Sequence, residues 1–305
     1  GINMRFKYLL LILLTLILVS CGQNNKLTPP PTDEVGLLFG SPETLDIVSW
    51  NLKTFPLTNN TVNLLRDIIP QMNVDVIAFQ EVMEQSQFYA LAEAMPDYEA
   101  YVYNATSSYR LAYLYDSRTV TVNDAYTIFN GQSNPFPRPP YILDINFANQ
   151  NYLIINNHFK ALGDNFIDET DDWDEEYRRR LASTLLEEYI RENFNNDRVV
   201  MLGDLNDQIQ EPTETNVFLP FLNRPDDYLF TTMPIATNPT PNTVSYPSYN
   251  SILDHILISD ELFSDFALAG NYCRVIRVEN HVGGLSAYYS LISDHRPIGI
   301  RLQAN

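Results

Sequence analysis

Residues 198–207 read Arg198-Val-Val-Met-Leu-Gly-Asp-Leu-Asn-Asp207, and the fold turns on how this stretch is read. Val199 to Leu202 form a short apolar run, β-branched at its start, which predicts a strand covered on both faces. Gly203 lets the backbone turn, and Asp204 and Asn206 follow two residues apart. On an extended chain that spacing points both side chains the same way. A carboxylate can accept a proton from water, and a carboxamide can hold an oxyanion or a metal-bound oxygen. Gly, Asp and Asn are also ordinary turn residues, so the stretch alone leaves a plain turn open.

Working outward, other apolar runs also end on polar side chains. Thr44–Leu52 predicts a first strand with Asn51 near its end, and Val74–Val82 another with Gln80-Glu81 at its far end. A glutamate closing an apolar strand must reach the surface or hold a cation, because a buried unpaired carboxylate is costly. A magnesium site needs such a carboxylate, with water and phosphate oxygens in the remaining positions. Asn151–Phe159 predicts a strand ending in Asn157-His158-Phe159-Lys160, where Lys160 shares the face of His158 and suits a phosphate contact. Ser251–Ser259 carries Asp254-His255 inside a strand; the two side chains project to opposite faces, so each needs its own partner. Ser293-Asp294-His295-Arg296-Pro297 opens a last strand, Ile298–Leu302. Further strands are expected over 98–103, 111–116, 120–128 and 141–147, and helices over 61–69 and 84–95.

Asp172 and Glu175 form an Asp-x-x-Glu capping box. Trp173, Tyr177, Leu181, Leu185 and Tyr189 then step by four, which predicts a long amphipathic helix against a sheet. Arg178-Arg179-Arg180 reads as its solvated face, with contact to a polyanion as the alternative. Pro212–Asn250, rich in proline and asparagine, is expected to form an irregular rim or lid.

The chain has 305 residues, enough for one large α/β domain, and 45% hydrophobic with 12% aromatic residues permits a core. Its 19 basic and 38 acidic residues give a net charge of −19. Such a balance argues mildly against tight nucleic-acid binding through charge alone. Arg5 and Lys7 followed by an apolar run to Val19 read as a secretory signal over 1–20, too short to span a membrane. Leu18-Val19-Ser20-Cys21 resembles the bacterial lipoprotein box, which implies lipidation of Cys21 after cleavage. Loss of Arg5 and Lys7 would leave 17 of the 19 basic residues against 38 acidic, a charge of −21. Residues 21–43, with Pro29-Pro30-Pro31 at their centre, read as an extended tether, and 44–305 as the folded domain. The expected location is therefore the bacterial cell envelope, lipid-anchored and extracytoplasmic. Only Cys21 and Cys273 are present, so a lipidated chain has no intramolecular disulfide. No protein partner is implied, and a monomer is expected.

Five stretches in this order resemble the endonuclease/exonuclease/phosphatase superfamily, whose founding members include pancreatic-type deoxyribonuclease. They are Ser-Trp-Asn51, Gln80-Glu81, Asn157-His158, Gly203-Asp204-Leu205-Asn206 and Ser293-Asp294-His295, with Asp254 ahead of the last. The resemblance implies a four-layer α/β sandwich of two mixed β-sheets flanked by helices, with the site where the sheets meet. It makes Glu81 the principal metal ligand, with Asn51 and Asp294 close to the metal, and Mg2+ the expected ion (Mn2+ or Ca2+ as alternatives). Asp204 and Asn206 would align the attacking water, and His295, oriented by Asp254, would bind the phosphoryl oxygen or move a proton. His158 would be the second histidine flanking the phosphate.

Tyr109 and Arg110 lie in a segment resembling the deoxyribonuclease stretch whose tyrosine contacts DNA, and Phe136-Pro-Arg138-Pro-Pro140 resembles another. Two departures stand out. Leu111 occupies the position of a glutamate that pairs with the first histidine, and Met83 that of a DNA-contacting arginine. Asn157-His158-Phe159-Lys160-Ala161 looks instead like bacterial extracellular nucleases and bacterial sphingomyelinases of the same superfamily. The expected activity is metal-dependent phosphodiester hydrolysis, foremost an endonuclease on DNA with RNA as a second nucleic-acid substrate, gripped by Tyr109, Arg110 and Lys160. A phospholipid or a sugar or inositol phosphate is the alternative substrate, and a non-catalytic surface binding protein the other class.

Overall fold

The computed structural model describes residues 36–103 and 109–303; the signal segment, Cys21 and most of the expected tether lie outside the described residues. Among the described residues twelve strands pair into two mixed sheets of six. The first holds β1 (Thr44–Phe55), β2 (Val76–Val82), β3 (Tyr98–Val102), β4 (Arg110–Asp116), β11 (Cys273–Val275) and β12 (Ile298–Gln303), in the order β11-β12-β1-β2-β4-β3. The second holds β5 (Thr121–Thr127), β6 (Tyr141–Phe147), β7 (Gln150–His158), β8 (Val199–Asp204), β9 (Tyr228–Phe230) and β10 (Asp254–Ser259), in the order β5-β6-β7-β8-β10-β9.

Period-two alternation assigns each strand's side chains to one of two cores. On β1, Leu45 and Ile47 enter the core between the sheets, while Val48 and Trp50 enter the core under the helices. On β8, Val200 and Leu202 face the other sheet, while Val199 and Met201 face a helix. Helices α1 (Thr61–Met72) and α2 (Gln85–Glu93) cover the first sheet through Leu65, Ile69, Phe88 and Leu91. Helix α3 (Glu175–Asn193) covers the second through Ala182, Leu186 and Ile190. The result is the expected four-layer α/β sandwich.

Each sheet contains one parallel pair, β1 with β2 and β7 with β8. Parallel pairing brings carboxyl ends together: Asn51 stands opposite Gln80, and His158 opposite Asp204. Parity then aims Asn51, His158, Asp204 and Asp254 along the inter-sheet face, in line with Ile47, Ile154, Leu202 and Ile256 of its core. Beneath them Gln80 Nε2 donates to Asn156 Oδ1 at 2.7 Å, a polar bond between the sheets just inside the site.

Several expectations are corrected. The cap of α3 is Asp174, whose side chain accepts from Tyr177 N at 2.7 Å, not Asp172. The helix turns a different stripe inward than the step through Trp173 suggests, and Trp173 is 67% exposed. Arg178 and Arg179 are buried rather than solvated, drawn in by acceptors from distant segments. The proline-rich 212–250 segment is largely irregular, as expected, and its Tyr246, Tyr249 and Asn250 line the cleft, but it also carries two short helices (Leu219–Leu222 and Met233–Thr237) and β9, with Phe218, Phe221 and Phe230 in the α3-side core. The packed domain also reaches further back than Thr44: Leu37 and Phe39 are buried in the core under α1 and α2, Phe39 against Tyr272, and Phe39 N donates to Met72 O.

Candidate active site

Where the strand ends meet, a cleft of about 810 Å³ opens, lined among others by Glu81, His158, Asp204, Asn206, Asp294 and His295. Glu81 reaches it through a bulge: the β2–β4 register shifts between Phe79 and Val82, and Glu81 has φ 63. Its carboxylate accepts from Thr54 N at 3.0 Å and from Asn51 Nδ2 at 3.2 Å. Asn51 Nδ2 also donates to Asp204 Oδ2 at 2.8 Å, tying the two sheets' carboxylates to one amide. Asp294 pairs with Lys53 at 2.8 Å.

Gly203 belongs to β8 rather than to a turn. A Cβ there would lie 2.0 Å from Asn157 O, so glycine lets β7 run close beside Asp204. Asn206 takes a left-handed conformation (φ 54), donates its amide N–H to Asp204 Oδ1 at 3.1 Å and its side chain to Phe159 O at 3.2 Å. Strained backbone of this kind persists where surrounding contacts over-determine it.

The two histidines differ sharply. His295 Nδ1 lies 2.8 Å from Asp254 Oδ2, and Nε2 lies 3.8 Å from Asp204 Oδ2. Burial works against the His295 imidazolium, but Asp254, Asp204 and Asp294 outweigh it and push its pKa up to about 10. His158 lies 3.5 Å from Asp204 Oδ2 and 3.9 Å from Glu81 Oε1, yet its pKa falls well below the usual range, through burial first, then Arg138 and His295. Its Nδ1 is buried without a hydrogen-bond partner among the described residues. That agrees with leucine at position 111, which offers no carboxylate to hold a charged ring.

Asp204 is pushed up to about 7: burial dominates, His295 and Asn51 oppose it, and Asp254 and Glu81 add to it. His255 faces away, with Nε2 2.9 Å from Asp207 O and Nδ1 3.1 Å from Thr232 Oγ1. Asp254 and His255 thus find separate partners on opposite faces.

The loop carrying His295 is fastened from behind. Ser293 Oγ donates to Asn51 O at 2.7 Å, Trp50 Nε1 donates to Tyr288 OH at 2.9 Å, and Tyr288 OH donates to His295 O. In front, Tyr246 lies 4.7 Å from the His295 ring and stacks on Tyr249. Tyr109 lines the cleft. Lys160 and Arg110 are not among its lining residues: Lys160 Nζ donates to Ala161 O and pairs with Glu175 at 3.2 Å, and Arg110 donates to Met83 O at 2.7 Å.

Lys53, Tyr246, Tyr249, Arg179 and Asp207 line the cleft without having been singled out for it from the sequence. Arg138 was noted only within a resembling stretch; it donates to Phe159 O at 3.2 Å, and its charge interacts with Asp204 and Glu81. Among the described residues two groups bring ligand atoms within 4.8 Å of one another and could hold a cation: Asp204 with Asp254 and His295, and, outside this constellation, Asp164 with Asp174 and Glu176.

Paired carboxylates, an oriented histidine and a second, neutral histidine at the shared edge of two sheets define a class: α/β sandwich hydrolases. The chain belongs to the Endonuclease/Exonuclease/phosphatase family, whose model matches residues 48–295. No curated protein matches it. Among solved structures it is similar to D. rerio TDP2 complexed with single-strand DNA product (TM-score 0.61, 14% identity, covering 86% of this chain and 99% of that one). It is also similar to the human nocturnin catalytic domain with bound sulfate (TM-score 0.59, 13% identity, 85% and 94%). A family protein from Bacteroides thetaiotaomicron gives TM-score 0.57 at 13% identity, covering 86% and 98%. Identity this low speaks for the fold alone.

Proposed function

We propose that this chain is a divalent-metal-dependent phosphodiesterase acting on nucleic acid, foremost DNA, as a lipid-anchored extracytoplasmic enzyme. The observation that carries the reading is the meeting of Glu81, Asp204, Asn206, His158 and the Asp254–His295 pair around one cleft. The metal fits the donors: the carboxylates of Glu81 and Asp294 offer only oxygen, the chemistry a hard cation such as Mg2+ takes, while Asn51, expected close to the metal, turns Nδ2 to Glu81 and Asp204 and would position these carboxylates. Asp204, Asp254 and Glu81 also repel one another electrostatically, which a cation would relieve. When bound, the ion would neutralise phosphoryl charge and the leaving oxygen.

The protein's own residues would do the rest. Asp204, raised toward neutrality, would take a proton from water held against Asn206. His295, kept positive by Asp254, would donate to a phosphoryl oxygen as negative charge builds there. Neutral His158 would present Nε2 to a second oxygen. Tyr109, Tyr246 and Tyr249 offer rings on which a base of either nucleic acid can stack.

One observation favours a second substrate for the same chemistry. Leu162, Phe166 and Trp173, 80%, 64% and 67% exposed, stand on the loop that follows β7, where a lipid surface would meet them. A panel of supercoiled plasmid, RNA, sphingomyelin and inositol phosphates, each with magnesium and with chelator, tests the substrate. Metal-dependent cutting of plasmid supports the proposal; hydrolysis of lipid or sugar phosphate with no nucleic acid cut overturns it. The anchor rests on Leu18-Val-Ser-Cys21; no described helix is long and apolar enough to cross a membrane. Wild type should partition into detergent and Cys21→Ser should not, since two acyl chains bind at about 0.8 kcal/mol per buried methylene.

A further inference from the structure

The loop between β7 and α3 is acidic far beyond what its turns need. From Gly163 to Glu176 it reads Gly-Asp-Asn-Phe-Ile-Asp-Glu-Thr-Asp-Asp-Trp-Asp-Glu-Glu. Within it Asp164, Asp174 and Glu176 bring one carboxylate oxygen each to within 4.8 Å of the others. Like charges so close repel strongly wherever water is excluded.

Glu176 is 1% exposed, and its Oε2 is buried with no hydrogen-bond partner among the described residues. Its Oε1 accepts from Asn165 N at 2.7 Å and lies 3.3 Å from Arg179 Nη2. That guanidinium also serves Asp207 and the carbonyls of Lys160 and Leu162. The Glu176 carboxylate lies against Gly163 so closely that a Cβ there would be 2.1 Å from Oε1 and 2.5 Å from Oε2. Gly163, at φ 123, and Asn165, at φ 65, turn the loop over it. Arg179 pairs with this carboxylate through Oε1, but Oε2, sealed in this way beside two further carboxylates, is left without a donor or cation of its own among the described residues.

We propose that Asp164, Asp174 and Glu176 form a calcium site, separate from the catalytic constellation. All donors are oxygen, which disfavours zinc and copper. Ligands ten and twelve residues apart, Asp164 on the irregular loop and Asp174 and Glu176 at the start of α3, suit the flexible coordination of calcium. Magnesium demands a near-ideal octahedron and gives up its waters reluctantly, whereas the enclosed Oε2 requires direct contact. Gly163, Asn165 and Glu176 line the cleft, so a bound ion would fix one of its walls and, through Arg179, the position of Asp207 next to Asn206.

Trp173 adjoins Asp174 and supplies the readout. Terbium bound by the whole chain should luminesce on tryptophan excitation. Calcium should displace it and equal magnesium should not. Asp164→Asn combined with Glu176→Gln should weaken terbium and calcium binding by at least about tenfold, since affinity follows the charge of the ligands. Asp164→Asn alone, at an exposed residue, should weaken it measurably even if the double variant folds poorly. Glu81→Ala should keep the emission and should still gain several degrees of thermal stability from calcium. Unchanged emission in Asp164→Asn, loss of emission in Glu81→Ala, or displacement by magnesium as readily as by calcium would each overturn the assignment.

Discussion

Glu81 holds a positive φ at a cost of order 1–3 kcal/mol, and two hydrogen bonds keep its carboxylate aimed into the cleft. Asp254 acts on His295 more simply, through one bond of 2.8 Å and one charge. Asp254→Asn retains an oxygen for Nδ1 but removes the charge that sustains the imidazolium. In steady-state kinetics kcat should fall about 10²–10⁴-fold with KM little changed, as when a triad carboxylate is neutralised. A loss below tenfold would contradict the role given to this pair. The residues at strand ends were legible because a polar side chain closing an apolar run has few other reasons to be there. Lys53, Tyr246 and Arg138 were not, since each gains its meaning from contacts no local pattern contains.

At the scale of elements, α3 shows how a periodic pattern misleads. Leu181, Leu185 and Tyr189 promised the inward face, but the stripe one residue on, Ala182, Leu186 and Ile190, lies deeper. Arg179 explains the polar part of that face. It donates to Asp207 Oδ2 at 2.7 Å and to two carbonyls before the helix, tying α3 to the loop after β8. From sequence three consecutive arginines look solvated, because Asp207 is 28 residues away. Arg179→Met leaves Asp207 and Glu176 buried without their cation. Urea unfolding should register a loss of about 3–5 kcal/mol. A change under 1 kcal/mol would mean that water reaches these carboxylates freely. The strands themselves were legible nearly to their ends, while three-residue β9 and β11 were too short to carry an alternation.

Across the whole molecule the acidic balance bears on stability as well as on binding. Asp46 and Asp75, packed near one another far from the cleft, are pushed up to about 7 and about 6. Burial is the main cause for both; for Asp46 the Asp75 carboxylate adds to it, against Ser41 N–H, the Thr44 hydroxyl and Arg301. The folded state therefore holds protons that the unfolded chain, with Asp near 3.8, has released. Their contribution is fully present below about pH 4 and is lost as pH rises toward 7. Denaturation midpoints measured from pH 4 to 8 should fall less steeply for Asp46→Asn than for wild type. Parallel curves would show that Asp46 is ionised at no cost.

The central claim is that Glu81 holds a metal while Asp204 serves the water at the same phosphate. Its most direct test is plasmid cleavage followed as magnesium is titrated into wild type, Glu81→Ala and Asp204→Ala. Wild type should be inert with chelator and active with magnesium. Glu81→Ala should need far more metal and stay slow, and Asp204→Ala should lose several orders of magnitude at every concentration. Wild-type turnover by Glu81→Ala at limiting magnesium, or activity of wild type in chelator, would contradict the account.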